Sequence, residues 1–105
     1  TARIRQALDL VGLGDEISQL HEGLHTRITC EGSPLSDSQL VRLTIARAIA
    51  GHPKLLVIDG LIDRLPDELM AQVVESLQQP NLPWTLLIVT GREDVARRCP
   101  VVYQL

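Results

Sequence analysis

Two short apolar runs constrain this chain more than any other feature. Leu55, Leu56, Val57 and Ile58 run into Asp59, and Leu86, Leu87, Ile88 and Val89 run into Thr90. Neither run alternates with polar residues, which is the pattern of strands buried inside a parallel sheet. Between them, residues 67–79 carry Leu69, Met70, Val73, Val74 and Leu77 on one face of a helix. Strand, helix, strand predicts a parallel pair joined by a right-handed crossover. The second strand is predicted over 84–90, followed by a short helix over 92–98 and a third strand over 101–105. With one Trp, one Tyr and no Phe, branched aliphatic side chains must fill the core.

The first half reads as helical. Ile4, Ala7, Leu8 and Val11 fall at helical spacing before Gly12, and a second short helix is predicted over 15–20. Glycine, threonine and proline recur without period over 21–34, the signature of a loop. His21 and His25 flank Gly23 there and read as loop residues rather than half of a metal site. Residues 36–50 form the clearest helix: Ser36 and Gln39 make a capping box, and Gly51 and Pro53 close the far end. Arg42 and Arg47 are its only charges after the first turn, so most of its surface is predicted to be buried. The fold class is α/β. Three strands are too few to cover these helices, and the chain opens on helices, so further polypeptide is expected before Thr1.

Composition removes several functions. A net charge of −3 and a pI near 5.5 argue against nucleic acid or an anionic membrane as the main partner. No apolar run approaches the roughly 20 residues of a membrane-spanning helix, and no signal-peptide pattern opens the sequence. Cys30 and Cys99 form no metal-binding spacing and fit a reducing compartment. Asp59, Asp63 and Asp67 are separated by turns and Pro66, so they read as solvated acids near helix starts rather than a metal cluster. Arg97 and Arg98 complement the dipole at a helix C-terminus.

Landmarks then recur in a recognisable order. The run from Leu20 through Thr26 leads to Glu31 and Gly32. Leu35, Ser36, Asp37, Ser38 and Gln39 open the long helix, which continues through Ile45, Ala46, Arg47, Ala48 and Ile49. His52, Pro53 and Lys54 turn into the strand ending at Asp59, and residues 86–90 form the next strand. In this order and spacing the chain resembles the C-terminal half of an ABC-transporter nucleotide-binding domain of the exporter type. The matching family landmarks are the loop before the signature, the LSGGQ signature, the ARAL-type helix, Walker B and the strand entering the H-loop. The resemblance covers nearly the whole chain.

The resemblance implies part of a P-loop NTPase-like parallel sheet with a helical-subdomain remnant at the N-terminus. Residues 1–53 would be the helical portion and signature helix, and 54–105 the C-terminal part of the ATPase core. It implies ATP and Mg²⁺ in the intact domain, with Ser36, Asp37, Ser38 and Gln39 facing ATP held by a second nucleotide-binding domain. Asp59 would hold Mg²⁺ through water. The other implied partner is a transmembrane domain, with this part on the cytoplasmic side of the membrane; no nucleic acid is implied.

Departures from the family pattern cluster at its chemistry. Asp37 and Ser38 replace the two signature glycines. Gly60 stands at the catalytic glutamate position and Gly91 at the H-loop histidine position, leaving no catalytic residue. Asp63, Arg64, Leu65 and Pro66 stand where the family has Ser-Ala-Leu-Asp. The Walker A loop and the Q-loop would precede Thr1. The expectation is therefore a C-terminal fragment of a domain that couples ATP to membrane transport, with hydrolysis lost and no cofactor held by the isolated chain. A carboxylate at Asp37 would also oppose a γ-phosphate, by roughly 4 kcal/mol at 4 Å and an effective dielectric near 20. The alternative is a non-nucleotide α/β interaction or regulatory module derived from such an ATPase. A receiver domain built on Asp59 would need a pair of acids near the start and a lysine after the last strand, and the sequence has neither.

Overall fold

Ser36 opens the longest helix by capping it. Its Oγ accepts from the Gln39 amide at 3.3 Å, and the Gln39 side chain accepts from the Ser36 amide at 2.8 Å, completing the expected capping box. In the computed structural model, which describes residues 2–20, 22–29 and 33–105, that helix is α3 (Asp37–Ile49), preceded by α1 (Ala2–Leu10) and α2 (Gly14–Ser18). A 3-10 turn at Gly23–His25 lies between α2 and α3. The second half runs β1 (Leu55–Asp59), a 3-10 turn (Ile62–Arg64), α4 (Asp67–Leu77), β2 (Thr85–Val89) and α5 (Glu93–Ala96).

The predicted parallel pair, with a helix between its strands, is present. β1 and β2 pair in parallel from Leu55 opposite Thr85 to Asp59 opposite Val89. Leu56 and Ile58 point into a core shared with Val11 and Leu13, with Val41, Ile45 and Ile49 of α3, and with Met70, Val73, Val74 and Leu77 of α4. Gly12 ends α1 with φ +71, a left-handed conformation that glycine adopts without a Cβ penalty. Trp84 donates its indole N–H to the Leu77 carbonyl at 3.0 Å, tying the end of α4 to the start of β2.

Four expectations need correction. Residues 101–105 are not a strand: they form no regular secondary structure, and Val101, Val102, Tyr103 and Leu105 are exposed. A strand needs a neighbour for its backbone N–H and C=O groups, and among the described residues β2 pairs only with β1. The strands are also not buried on both faces. Leu55, Val57, Leu87 and Val89 are each 45–57% exposed, because the core lies against the Leu56 and Ile58 face alone. Helix α3 buries one stripe rather than most of its surface: Thr44, Arg47 and Ala48 are exposed, while the charged Arg42 is buried. Asp63 is not a solvated helix-start acid, as its contacts below establish.

Smaller differences lie at element ends. Ile4, assigned to the apolar face of α1, is 49% exposed. The helix expected over 15–20 runs Gly14–Ser18, and the one expected over 92–98 is shorter at both ends, Glu93–Ala96. Cys99 is a free, partly buried thiol whose pKa burial pushes up. His21, Cys30, Glu31 and Gly32 lie outside the described residues. Among the described residues no helix is long and apolar enough to cross a membrane.

Candidate functional site

The carboxyl ends of β1 and β2 form one edge, and a short turn organises it. β1 ends at the exposed Asp59, and Gly60 turns the chain with φ +78 while its amide donates to the Val89 carbonyl at 3.0 Å. Ile62 and Leu65, 1% and 2% exposed, anchor the following turn in the core. Between them Asp63 faces β2. Its carboxylate accepts from the Gly91 amide at 2.7 Å and from the Thr90 hydroxyl. Its neighbour Arg64 reaches the other way and donates to the carboxylate of Asp37, the first residue of α3.

Arg92 closes the same edge. Its guanidinium donates to the Leu65 carbonyl at 2.8 Å, to the Asp63 carbonyl at 3.4 Å, and to Asp67 and Asp94, each at 2.7 Å. The hydrogen bond from Arg92 holds the Asp94 carboxyl below the usual aspartate range.

A second cluster sits at the other side of the α3 start. Arg42, 1% exposed, donates to the Gly12 carbonyl at 3.0 Å, the Ser38 carbonyl at 3.2 Å, and the two Glu16 oxygens at 2.7 and 3.1 Å. This two-pronged pairing is the strong geometry for an arginine and a carboxylate. The Gln39 side-chain Nε2 donates to Glu16 as well, at 2.9 Å. The structure thus joins Asp37 to the Asp63 turn and to Thr90, Gly91 and Arg92, with Asp59 and Gly60 at the same edge. Ser36 and Gln39 are committed to the helix cap, and Gln39 also to Glu16.

The Glu16 pairing has a pH signature. The hydrogen bond from Arg42 lowers the Glu16 pKa, with burial opposing and Gln39 assisting. A carboxyl with a depressed folded-state pKa contributes its stability above the unfolded value, about 4.3 for glutamate, and loses it as pH falls through the folded one. The Glu16 side chain is 40% exposed, so solvent screens the contribution and keeps it modest. The thermal midpoint of Glu16→Gln is expected to fall less steeply than the parent's below about pH 4.3. Equal slopes in scanning calorimetry would contradict this role for Glu16.

The start of α3 and the exit of β2 do not fit an ATP phosphate. A phosphate-binding helix start offers free N–H groups without a carboxylate, whereas α3 begins with Asp37 and its Gln39 amide is taken by Ser36. At the β2 exit the Gly91 amide is taken by Asp63. Asp59 is a single exposed carboxylate, which on its own would hold Mg²⁺ only together with water and bound phosphates.

Sequence reading missed the roles of Arg42, Glu16 and Arg92. For Arg42 a signal existed: it precedes Ile45, Ala46 and Ile49 by 3, 4 and 7 positions, which puts it on the buried stripe. Arg92 carried little, because apart from Asp94 its partners Asp63, Leu65 and Asp67 lie 25 to 29 residues away.

Comparison with known proteins gives a consistent set of likenesses. The ABC-type transmembrane transporter verA of Clonostachys rogersoniana is 31% identical over 104 residues, covering 96% of this chain and 8% of its own length. The exotoxin translocation ATP-binding protein PaxB of Pasteurella aerogenes is 31% identical, covering 91% of this chain and 14% of its own. The ATP-dependent lipid A-core flippase of Ralstonia nicotianae is 35% identical over 91 residues, covering 87% of this chain and 15% of its own. The chain therefore spans less than a sixth of the length of these curated relatives. No family model matches it.

Proposed function

We propose that this chain is the C-terminal part of an exporter-type ABC-transporter ATP-binding domain whose catalytic positions are degenerate. The observation that carries the reading is its similarity to transporter and translocation ATP-binding proteins at 31–35% identity over most of the chain. The parallel β1–α4–β2 unit with Asp59 at a strand's carboxyl end supports it, because ligands of open α/β sheets bind at that edge. On this reading residues 1–53 are the helical portion with its signature helix, and 54–105 the ATPase-core portion. The parent domain works with a transmembrane domain and a second nucleotide-binding domain on the cytoplasmic side of the membrane.

Within the intact family domain, ATP and Mg²⁺ would supply the free energy for transport. This chain's own residues point away from hydrolysis. Gly60 and Gly91 lack side chains that could orient water or contact a phosphate, and Ser36 and Gln39 cap their own helix. Asp37 and Ser38 stand where bare backbone would receive a phosphate. A site formed with a fully competent partner would therefore be damaged on whichever side this chain supplies. A second reading, an interaction or regulatory module of the same ancestry, draws on the self-satisfied donors at the sheet edge.

The test is ATP-dependent self-association of the intact protein by light scattering. Removing the Asp37 carboxylate and the Ser38 side chain together, as Asp37→Gly with Ser38→Gly, is expected to strengthen association with ATP at least tenfold. That corresponds to about 1.4 kcal/mol, less than the roughly 4 kcal/mol of repulsion at 4 Å and an effective dielectric near 20, since Arg64 already offsets part of the Asp37 charge. No gain in the double variant would reduce Asp37 to a surface acid and favour the interaction module.

A further inference from the structure

The Ile62–Arg64 turn carries two adjacent charges that grip opposite sides of the sheet's carboxyl edge. Asp63 accepts from the Gly91 amide at 2.7 Å and from the Thr90 hydroxyl, at the exit of β2. Arg64 donates to Asp37 at the start of α3. The apolar side chains of Ile62 and Leu65 fix the turn from below. Arg92, itself at the β2 exit, holds the turn's backbone through the Asp63 and Leu65 carbonyls.

We propose that this turn is an internal latch that keeps the sheet edge closed and self-occupied. Asp63 acts as a built-in anion for the donors of Thr90 and Gly91, while Arg64 keeps the Asp37 carboxylate over the start of α3. An approaching anion meets carboxylates where free donors would otherwise stand. The two grips are coupled because neighbouring residues of one anchored turn cannot shift independently. Releasing Arg64 lets the turn move, and that movement loosens Asp63 on Gly91, 28 residues away along the chain. The Arg64–Asp37 grip is an exposed ion pair and therefore weak, so this grip can release while Ile62 and Leu65 stay in the core.

Amide hydrogen exchange of the whole chain, followed by NMR, tests the coupling. Gly91 is the reporter, and Val74 inside α4, 0% exposed, is the reference that cancels any change in global stability. Asp63→Ala is expected to speed Gly91 exchange more than tenfold relative to Val74. Arg64→Ala and Asp37→Ala, neither touching Gly91, are each expected to speed it about threefold, a size set by the weakness of exposed pairs. Exchanging the charges, Asp37→Arg with Arg64→Asp, is expected to restore the parent rate. Because both single changes lie at exposed positions, they remain informative even where Asp63→Ala fails to fold. Unchanged Gly91 exchange in Arg64→Ala and Asp37→Ala would overturn the latch, as would a shift of the parent's Gly91 amide on adding inorganic phosphate. Neither measurement uses nucleotide, so the latch can fail while the ATP-binding-domain reading stands.

Discussion

Arg42→Ala is expected to destabilise the chain by about 2–4 kcal/mol. Its guanidinium is buried and makes hydrogen bonds to Gly12, Ser38 and both oxygens of Glu16. Breaking a fully buried ion pair by removing one partner costs about 3–5 kcal/mol. Here the Glu16 side chain is 40% exposed, so the freed carboxylate rehydrates and the upper end of that range is not reached. The Gly12 carbonyl still loses a partner, and the buried space that the side chain filled is left empty. A domain of this length has a total stability of about 5–15 kcal/mol, so the loss is a large fraction of the whole. Arg42→Lys retains the charge without the two-pronged geometry and is expected to fall between parent and alanine. Urea denaturation followed by circular dichroism measures both. A change below about 1 kcal/mol for alanine, the scale of a surface pair, would mean that the α1–α2 turn docks on α3 without this arginine.

That arginine illustrates what the sequence conveyed and what it withheld. The capping box of Ser36 and Gln39, the strand from Leu55 to Asp59 and the buried face of α4 were legible because each depends on local spacing. Arg42 was legible only as one of two charges on α3; its spacing from Ile45, Ala46 and Ile49 could have put it on the buried stripe, while its partners Glu16 and Gly12 lie 26 and 30 residues away. Residues 101–105 have the composition of a strand, yet a strand is a property of two segments, and no described segment pairs with this one. The exposed face of Leu55, Val57, Leu87 and Val89 has the same origin, since a run of apolar residues asks for cover on both faces and cannot supply it. At the candidate site, positions 37, 38, 60 and 91 were marked by their departures from the family pattern. The grips of Asp63, Arg64 and Arg92 were not, because they join loops whose contact only the fold establishes.

The second large effect is expected on transplantation. The lipid A-core flippase of Ralstonia nicotianae is 35% identical to this chain over 91 residues, so the aligned segment can be exchanged for the one described above. If the chain is a degenerate ATP-binding-domain segment, the chimera folds and loses ATP hydrolysis. The loss is expected to exceed 100-fold, since a positioned acid–base group alone contributes about 10²–10⁴-fold and Gly60 and Gly91 remove two side chains at once. Gly60→Glu by itself is expected to leave the loss almost intact, because Gly91, Asp37 and Ser38 remain. Residues that act as a unit do not contribute additively. Reverting all four positions, Asp37→Gly, Ser38→Gly, Gly60→Glu and Gly91→His, is expected to recover most of the activity.

Steady-state phosphate release by that chimera, with and without the four reversions, is therefore the decisive measurement. Release at background in the chimera and recovery of at least 100-fold in the reverted protein is the result expected from the loss of those groups. A chimera that hydrolyses ATP at the flippase's own rate, or a folded reverted chimera that stays at background, would contradict it.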